Sequence, residues 1–143
     1  MYPSILPSCA RLATALLFTL PLLPAQSQKL LGVDFTGTAY EVDLTTGQSR
    51  NLGPTGVSGC NAMTTSAART IWYATARSGP SHQLVTIDPI DAHATVVVPN
   101  LGADIRGLCD GNSGELLGIA NGADNQDSLV RIVPSTGQVI PVG

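Results

Sequence analysis

Apolar and polar positions alternate along this chain at a fixed interval. In "TAYEVDLTTGQ", Tyr40 and Val42 alternate with Glu41; Val85 and Ile87 alternate with Thr86, and Val130 and Ile132 with Arg131, each set 45 residues after the last. Period-two alternation over a few residues, ended by turn formers, is the mark of a β-strand with one face in a core. The turn formers follow at once as "DLTTGQ", "DPIDAH" and "VPSTGQ". Pro presets φ at the second turn position, and Gly47 and Gly137 supply positive φ cheaply, whereas the second copy carries Ala92 at that place. Each turn leads into another strand, "QSRNLG", "HATVVVP" and "GQVIPVG", so every copy holds a hairpin.

Upstream of each hairpin lies a more continuous apolar run: "KLLGVD", "TIWYAT" and "ELLGIA". Such runs predict strands covered on both faces. Trp72 and Leu117 are 45 apart and align in this reading, while Leu31 stands 41 before Trp72 because the first loop, "DFTGT", is four residues shorter. Further upstream, "GVSGCNAMTTSAART" matches "LGADIRGLCDGNSGE" at the same shift of 45. The unit is therefore four short antiparallel strands, and self-similarity at roughly 40–50 residues with four strands per unit marks a β-propeller blade.

The predicted fold is all-β: propeller-type blades of four antiparallel strands, about three of them, with repeats at about 29–53, 56–98 and 101–143. A lone sheet that is apolar on both faces must stack on a neighbour. An eleven-strand β-sandwich would also satisfy the pattern, but it would not require a register of 45. Closed propellers hold roughly four to eight blades, so the ring is expected to be incomplete. A fragment of a longer propeller and a homodimer that closes a six-blade ring both fit.

At this level the residues resemble a known group. "GTAYEVDLTTGQ" and "LVRIVPSTGQ" are similar to the strand–turn cores of bacterial exported propellers of the NHL, YVTN and quinoprotein-like repeat kinds, over roughly Lys29 to Gly143. The resemblance implies architecture and says little about chemistry. Leu52, Val97 and Val142 stand where quinoprotein repeats carry a tryptophan, so it implies no quinone, and no cofactor is expected.

The opening "MYPSILPSCARLATALLFTLPLLPAQSQ" changes where the protein is expected to be. Arg11 precedes an uncharged apolar run from Leu12 to Leu23, and Ala25 and Ser27 stand at the −3 and −1 positions of a cleavage site. This is the build of a secretory signal peptide, assigned to residues 1–27, with the repeat domain at 28–143. The run is shorter than the roughly 20 residues of a spanning helix, so no membrane partner is expected after cleavage and a secreted or periplasmic location is. Losing Arg11 takes the formal net charge from −3 to −4. Without clustered Lys and Arg to neutralise phosphates, nucleic acid is not expected as a partner.

Export brings an oxidising compartment, and Cys60 and Cys109 remain after processing. Shifting Cys60 by 45 lands on Ile105, four positions short of Cys109. Four residues of strand is about 13 Å, against the roughly 7 Å limit between bridged Cα atoms, so a Cys60–Cys109 disulfide is not expected.

Candidate chemistry is sparse. "GVSGC" around Ser58 and "GNSGE" around Ser113 do not fit Gly-x-Ser-x-Gly and read as turns, and no catalytic residue is assigned. His82 is placed in the loop "ARSGPSHQ" and His93 just after a turn at the opposite end, so the two are not expected to share a site. Asp124 and Asp127, in "NGADNQDS", are calcium-type oxygen donors, but the Asp-x-Asn-x-Asp-Gly pattern is absent and no metal site is assigned. Asp104 and Arg106 open an innermost strand, where a channel mouth would lie; an ion pair between them or a solvated strand end is expected. The candidate ligand set is therefore His82, Asp104, Arg106, Asp124 and Asp127. The sequence reads best as an exported, non-catalytic binding or scaffolding module for a protein or glycan, contacting it through the end that holds "ARSGPSHQ" and "NGADNQDS". The rival is a truncated copy of an exported propeller hydrolase or lyase.

Overall fold

The computed structural model describes residues 29–122 and 126–142. The leader assigned to residues 1–27 and Asp124 lie outside them. The described residues form eleven strands and no helix: β1 (Lys29–Val33), β2 (Thr38–Asp43), β3 (Ser49–Pro54), β4 (Ser58–Thr65), β5 (Trp72–Ser78), β6 (Ser81–Ile87), β7 (Ala94–Val98), β8 (Asp104–Asp110), β9 (Leu116–Asn121), β10 (Ser128–Val133) and β11 (Gln138–Pro141). They make three antiparallel sheets, β1-β2-β3, β4-β5-β6-β7 and β8-β9-β10-β11, so the described residues are all-β.

The turns repeat as their chemistry requires. Gly47, Ala92 and Gly137 each donate from their backbone N–H to the carbonyl four residues back, Asp43, Asp88 and Val133, at 2.8, 2.9 and 2.8 Å. All three hold positive φ, 71°, 65° and 75°. Ala92 therefore adopts the left-handed conformation that glycine takes in the other copies, a conformation costing an L-residue about 1–2 kcal/mol. The bulges repeat too, between Ala39 and Tyr40 in the first sheet and between Leu84 and Val85 in the second.

Strand register corrects one alignment. Val42, Ile87 and Ile132 keep the spacing of 45, and their cross-strand partners are Leu30, Trp72 and Leu116. Trp72 thus matches Leu116, not Leu117, and Leu30 rather than Leu31 is the first-sheet mate. The turn before β9 is one residue shorter than the turn before β5, and the β9–β10 hairpin is one residue longer than β5–β6. A slip of one residue exchanges the two faces of a strand, so this assignment decides what is buried.

The sheets stack face to face around two apolar clusters. Leu31 and Val33 of the first sheet meet Trp72, Ala74, Ala76, Val85 and Ile87 of the second. The opposite face of the second sheet presents Tyr73 and Leu84 to Ile105, Leu116, Val130 and Ile132 of the third. The middle sheet is thus apolar on both sides, as its continuous runs predict. Polar bonds tie the layers together. Thr75 Oγ1 donates to the Ile105 carbonyl at 3.1 Å, and Leu101 N–H donates to the His82 carbonyl at 2.7 Å.

Candidate functional site

Where the second and third sheets meet, β4 and β8 run beside one another, and the ends of β5, β6 and β9 close in at the same edge. "ARSGPSHQ" is not a loop there. β5 and β6 extend through it to a tight turn at Gly79 and Pro80, with Arg77 directly opposite His82 across the hairpin. His82 is consequently a strand residue aimed at the sheet junction. The lone interruption of alternation by Gly–Pro is short enough for a two-residue hairpin, and that was the signal available in the sequence.

Asp104 is the centre of the site. Its Oδ1 accepts from Asn61 Nδ2 at 3.1 Å and lies 3.4 Å from His82 Nε2, while its Oδ2 accepts from Arg106 Nε at 3.0 Å. The carboxylate is only 13% exposed, whereas the Arg106 side chain is 56% exposed. Arg77 Nε approaches the same His82 Nε2 at 3.3 Å. One nitrogen serves two partners only by alternation: unprotonated it accepts from Arg77, and protonated it donates to Asp104. Asn121 completes the network with its amide oriented to satisfy both neighbours, accepting from Arg106 Nη2 at 2.9 Å and donating to Asp127 Oδ1 at 3.2 Å.

The structure therefore brings together His82, the Asp104–Arg106 pair and Asp127, which the sequence placed in different loops and strands. Of the two readings the sequence left open for Asp104 and Arg106, the ion pair is the one present, and His82 belongs with it. Asp124 lies outside the described residues. His93 sits at the far end of the second sheet, after the turn at Asp88–Ala92. Sequence reasoning missed Asn61, Arg77 and Asn121. Asn61 occupies in β4 the place of Arg106 in β8, and its amide reaches Asp104 across 43 residues of chain, a pairing no local pattern announces.

Elsewhere, Asp34, Asp43 and Cys60 have shifted proton affinity. The Asp34 carboxyl is held below its ordinary value chiefly by the Thr38 backbone N–H, then by the Thr36 hydroxyl, and the Asp43 carboxyl by the backbone N–H groups of Thr46 and Thr45. Burial, then the nearby Asp34 charge, pushes the Cys60 thiol up. Cys60 is half-buried, Cys109 is exposed, and both are thiols. Among the described residues no group of three His, Cys, Asp or Glu is placed to hold a metal ion. No helix among them is long and apolar enough to cross a membrane.

The chemistry of the cluster follows from which donors and acceptors are already engaged. Both oxygens of Asp104 are taken up within the protein, so this carboxylate orients its neighbours. Arg77 and Arg106 beside it are exposed, and Asn61, His82 and Asn121 are partly exposed. No family model matches the chain, and a search of curated proteins returns no match.

Proposed function

We propose that this chain is an exported binding module of propeller-type repeats, whose ligand is rich in hydroxyls and carries a carboxylate; an acidic oligosaccharide is the class that fits. One observation carries the reading: Arg77, His82, Asn61, Asp104, Arg106, Asn121 and Asp127 converge on one edge of the stack from two different sheets. Guanidinium groups match a planar carboxylate in two-pronged geometry, and amide and imidazole nitrogens bond hydroxyls. A carboxylate already satisfied from both sides positions these groups, a duty suited to recognition. Supporting the propeller arrangement are the recurring four-strand unit, the face-to-face stacking of successive sheets, and the side-by-side course of β4 and β8, which are the first strands of their sheets. The leader-like composition of residues 1–27 supports export.

Calorimetric titration with a galacturonate trisaccharide tests the proposal. Saturable binding that weakens with salt is expected, with at least a tenfold loss in Arg106→Ala and in Arg77→Ala, each losing an ion pair of about 1.4 kcal/mol or more. Absence of saturable binding by the folded protein, or variants that bind as the parent does, would overturn it.

A further inference from the structure

The two outermost sheet faces are complements of one another. In the interior junctions each sheet offers one face forward to the next sheet and one back to the preceding sheet. Forward faces carry Leu31 and Val33 in the first sheet and Tyr73, Thr75 and Leu84 in the second. Backward faces carry Trp72, Ala74, Val85 and Ile87 in the second and Leu116, Gly118, Val130 and Ile132 in the third. By cross-strand register the forward face of the third sheet is Leu117, Ile119, Leu129 and Arg131, and the backward face of the first is Leu30, Gly32, Tyr40 and Val42.

Neither face is covered by a described residue to the extent its interior counterpart is. Leu84 is wholly buried, while Leu129, in the same place one repeat later, is 41% exposed. Leu30 is 51% exposed, while its counterpart Leu116 is 1% exposed. The glycines read the same way. A Cβ at Gly118 would meet Ile105 Cγ2 at 2.9 Å and Ile132 Cδ1 at 3.3 Å, whereas at Gly32 it would meet nothing within 4 Å. The forward face also bears an apolar depression of about 160 Å³ lined by Leu108, Cys109, Leu117, Ile119 and Leu129.

We infer that a second copy of this chain continues the stack, its Leu30–Tyr40–Val42 face seated on the Leu117–Ile119–Leu129 face of the first. The interior junctions supply the pattern: Leu129 enters the apolar surface of Leu30, Tyr40 and Val42 as Leu84 enters that of Leu116, Val130 and Ile132. The contact is head-to-tail, joining two different surfaces, so it either closes a ring or propagates. It is independent of the ligand cluster, which lies at the junction inside one chain.

Light scattering on a sizing column, with the chain as processed by the cell that expresses it, tests the inference. A dimer or larger species is expected for the parent, and monomers for Leu129→Asp and for Leu30→Asp. Mixing the two variants restores one intact pair of faces, so a dimer that grows no further is expected. Both side chains are substantially exposed, which spares the core; Ile119→Asp, on the same forward face, serves should Leu129→Asp not fold. A monomeric parent, an unchanged mass in the variants, or a mixture that stays monomeric would overturn the inference.

Discussion

Thr55 joins the first two sheets, and Thr55→Val measures what that joint contributes. The residue is wholly buried between β3 and β4. Its N–H and its Oγ1 both donate to the Gly37 carbonyl at 2.8 Å, and its own carbonyl accepts from Ala94 N–H at 2.9 Å. Oγ1 also accepts from Val57 N–H at 3.3 Å. Valine keeps the shape and the backbone bonds but removes the hydroxyl. The Gly37 carbonyl then keeps one donor of two, and Val57 N–H loses its acceptor. One net hydrogen bond is worth roughly 0.5–1.5 kcal/mol, and a half-buried donor left unpaired adds to that, so a loss of about 1–2 kcal/mol is expected. For a domain of this size that corresponds to a fall in Tm of roughly 3–10 °C. Urea unfolding followed by far-UV dichroism gives the stability change, and amide exchange at Val57 should quicken in the variant. A cost under about 0.3 kcal/mol with unchanged exchange would show that the hydroxyl bridges nothing and that the backbone bonds alone hold the joint.

Other consequences follow from the same geometry. Gly118→Ala should cost about 1–3 kcal/mol by overpacking against Ile105 and the Gly107 carbonyl, while Gly32→Ala in dilute solution should be neutral or stabilising by about 0.4–1 kcal/mol; equal costs would mean that Gly32 is covered within one chain. In dilute solution, where no second copy is seated on the Cys109 face, a thiol reagent at mildly alkaline pH should label exposed Cys109 well before half-buried Cys60, whose thiol is pushed up by burial; mass spectrometry of timed samples showing the reverse order would refute the placement. Asp34 and Asp43 have depressed folded-state values, so the stability they contribute is present above the ordinary value near 3.8 and is lost as pH falls through the folded one. Asp34→Asn and Asp43→Asn should therefore flatten the decline of the urea midpoint below about pH 4, and a slope unchanged in both would remove these turns as its cause.

What the sequence made legible depended on phase. Tyr40–Val42, Val85–Ile87 and Val130–Ile132 alternate strictly and end at a turn, so both their strands and their spacing could be read. "ELLGIA" is apolar at nearly every position, and a run without alternation carries no phase, so the offset that pairs Trp72 with Leu116 needed cross-strand partners to fix it. The candidate site suffered differently. Asp104 and Arg106 are two residues apart and suggested an ion pair locally, but Asn61 and His82 reach Asp104 only because the second and third sheets meet there, while Arg77 reaches His82 across the β5–β6 hairpin. Reading Gly79 and Pro80 as part of a long loop rather than a tight turn removed the one local clue, the Arg77–His82 pair.

The compensated register of β9 carries a consequence for how such a chain can change over generations. The turn before β9 has one residue fewer than its counterpart before β5, yet Leu116 lies opposite Asp110 as Trp72 lies opposite Thr65, so Leu116, Gly118 and Ala120 keep the inward face. Adding one residue to the hairpin after it leaves the chain downstream back in step, so Val130 and Ile132 keep their places. The strand behaves as a bead sliding between two adjustable cords: spatial position is inherited, and the letters that occupy it are not. Ungapped comparison of one repeat with the next is therefore blind to the strand that matters most for burial, and length changes in this chain should be sought in balanced pairs that flank a strand.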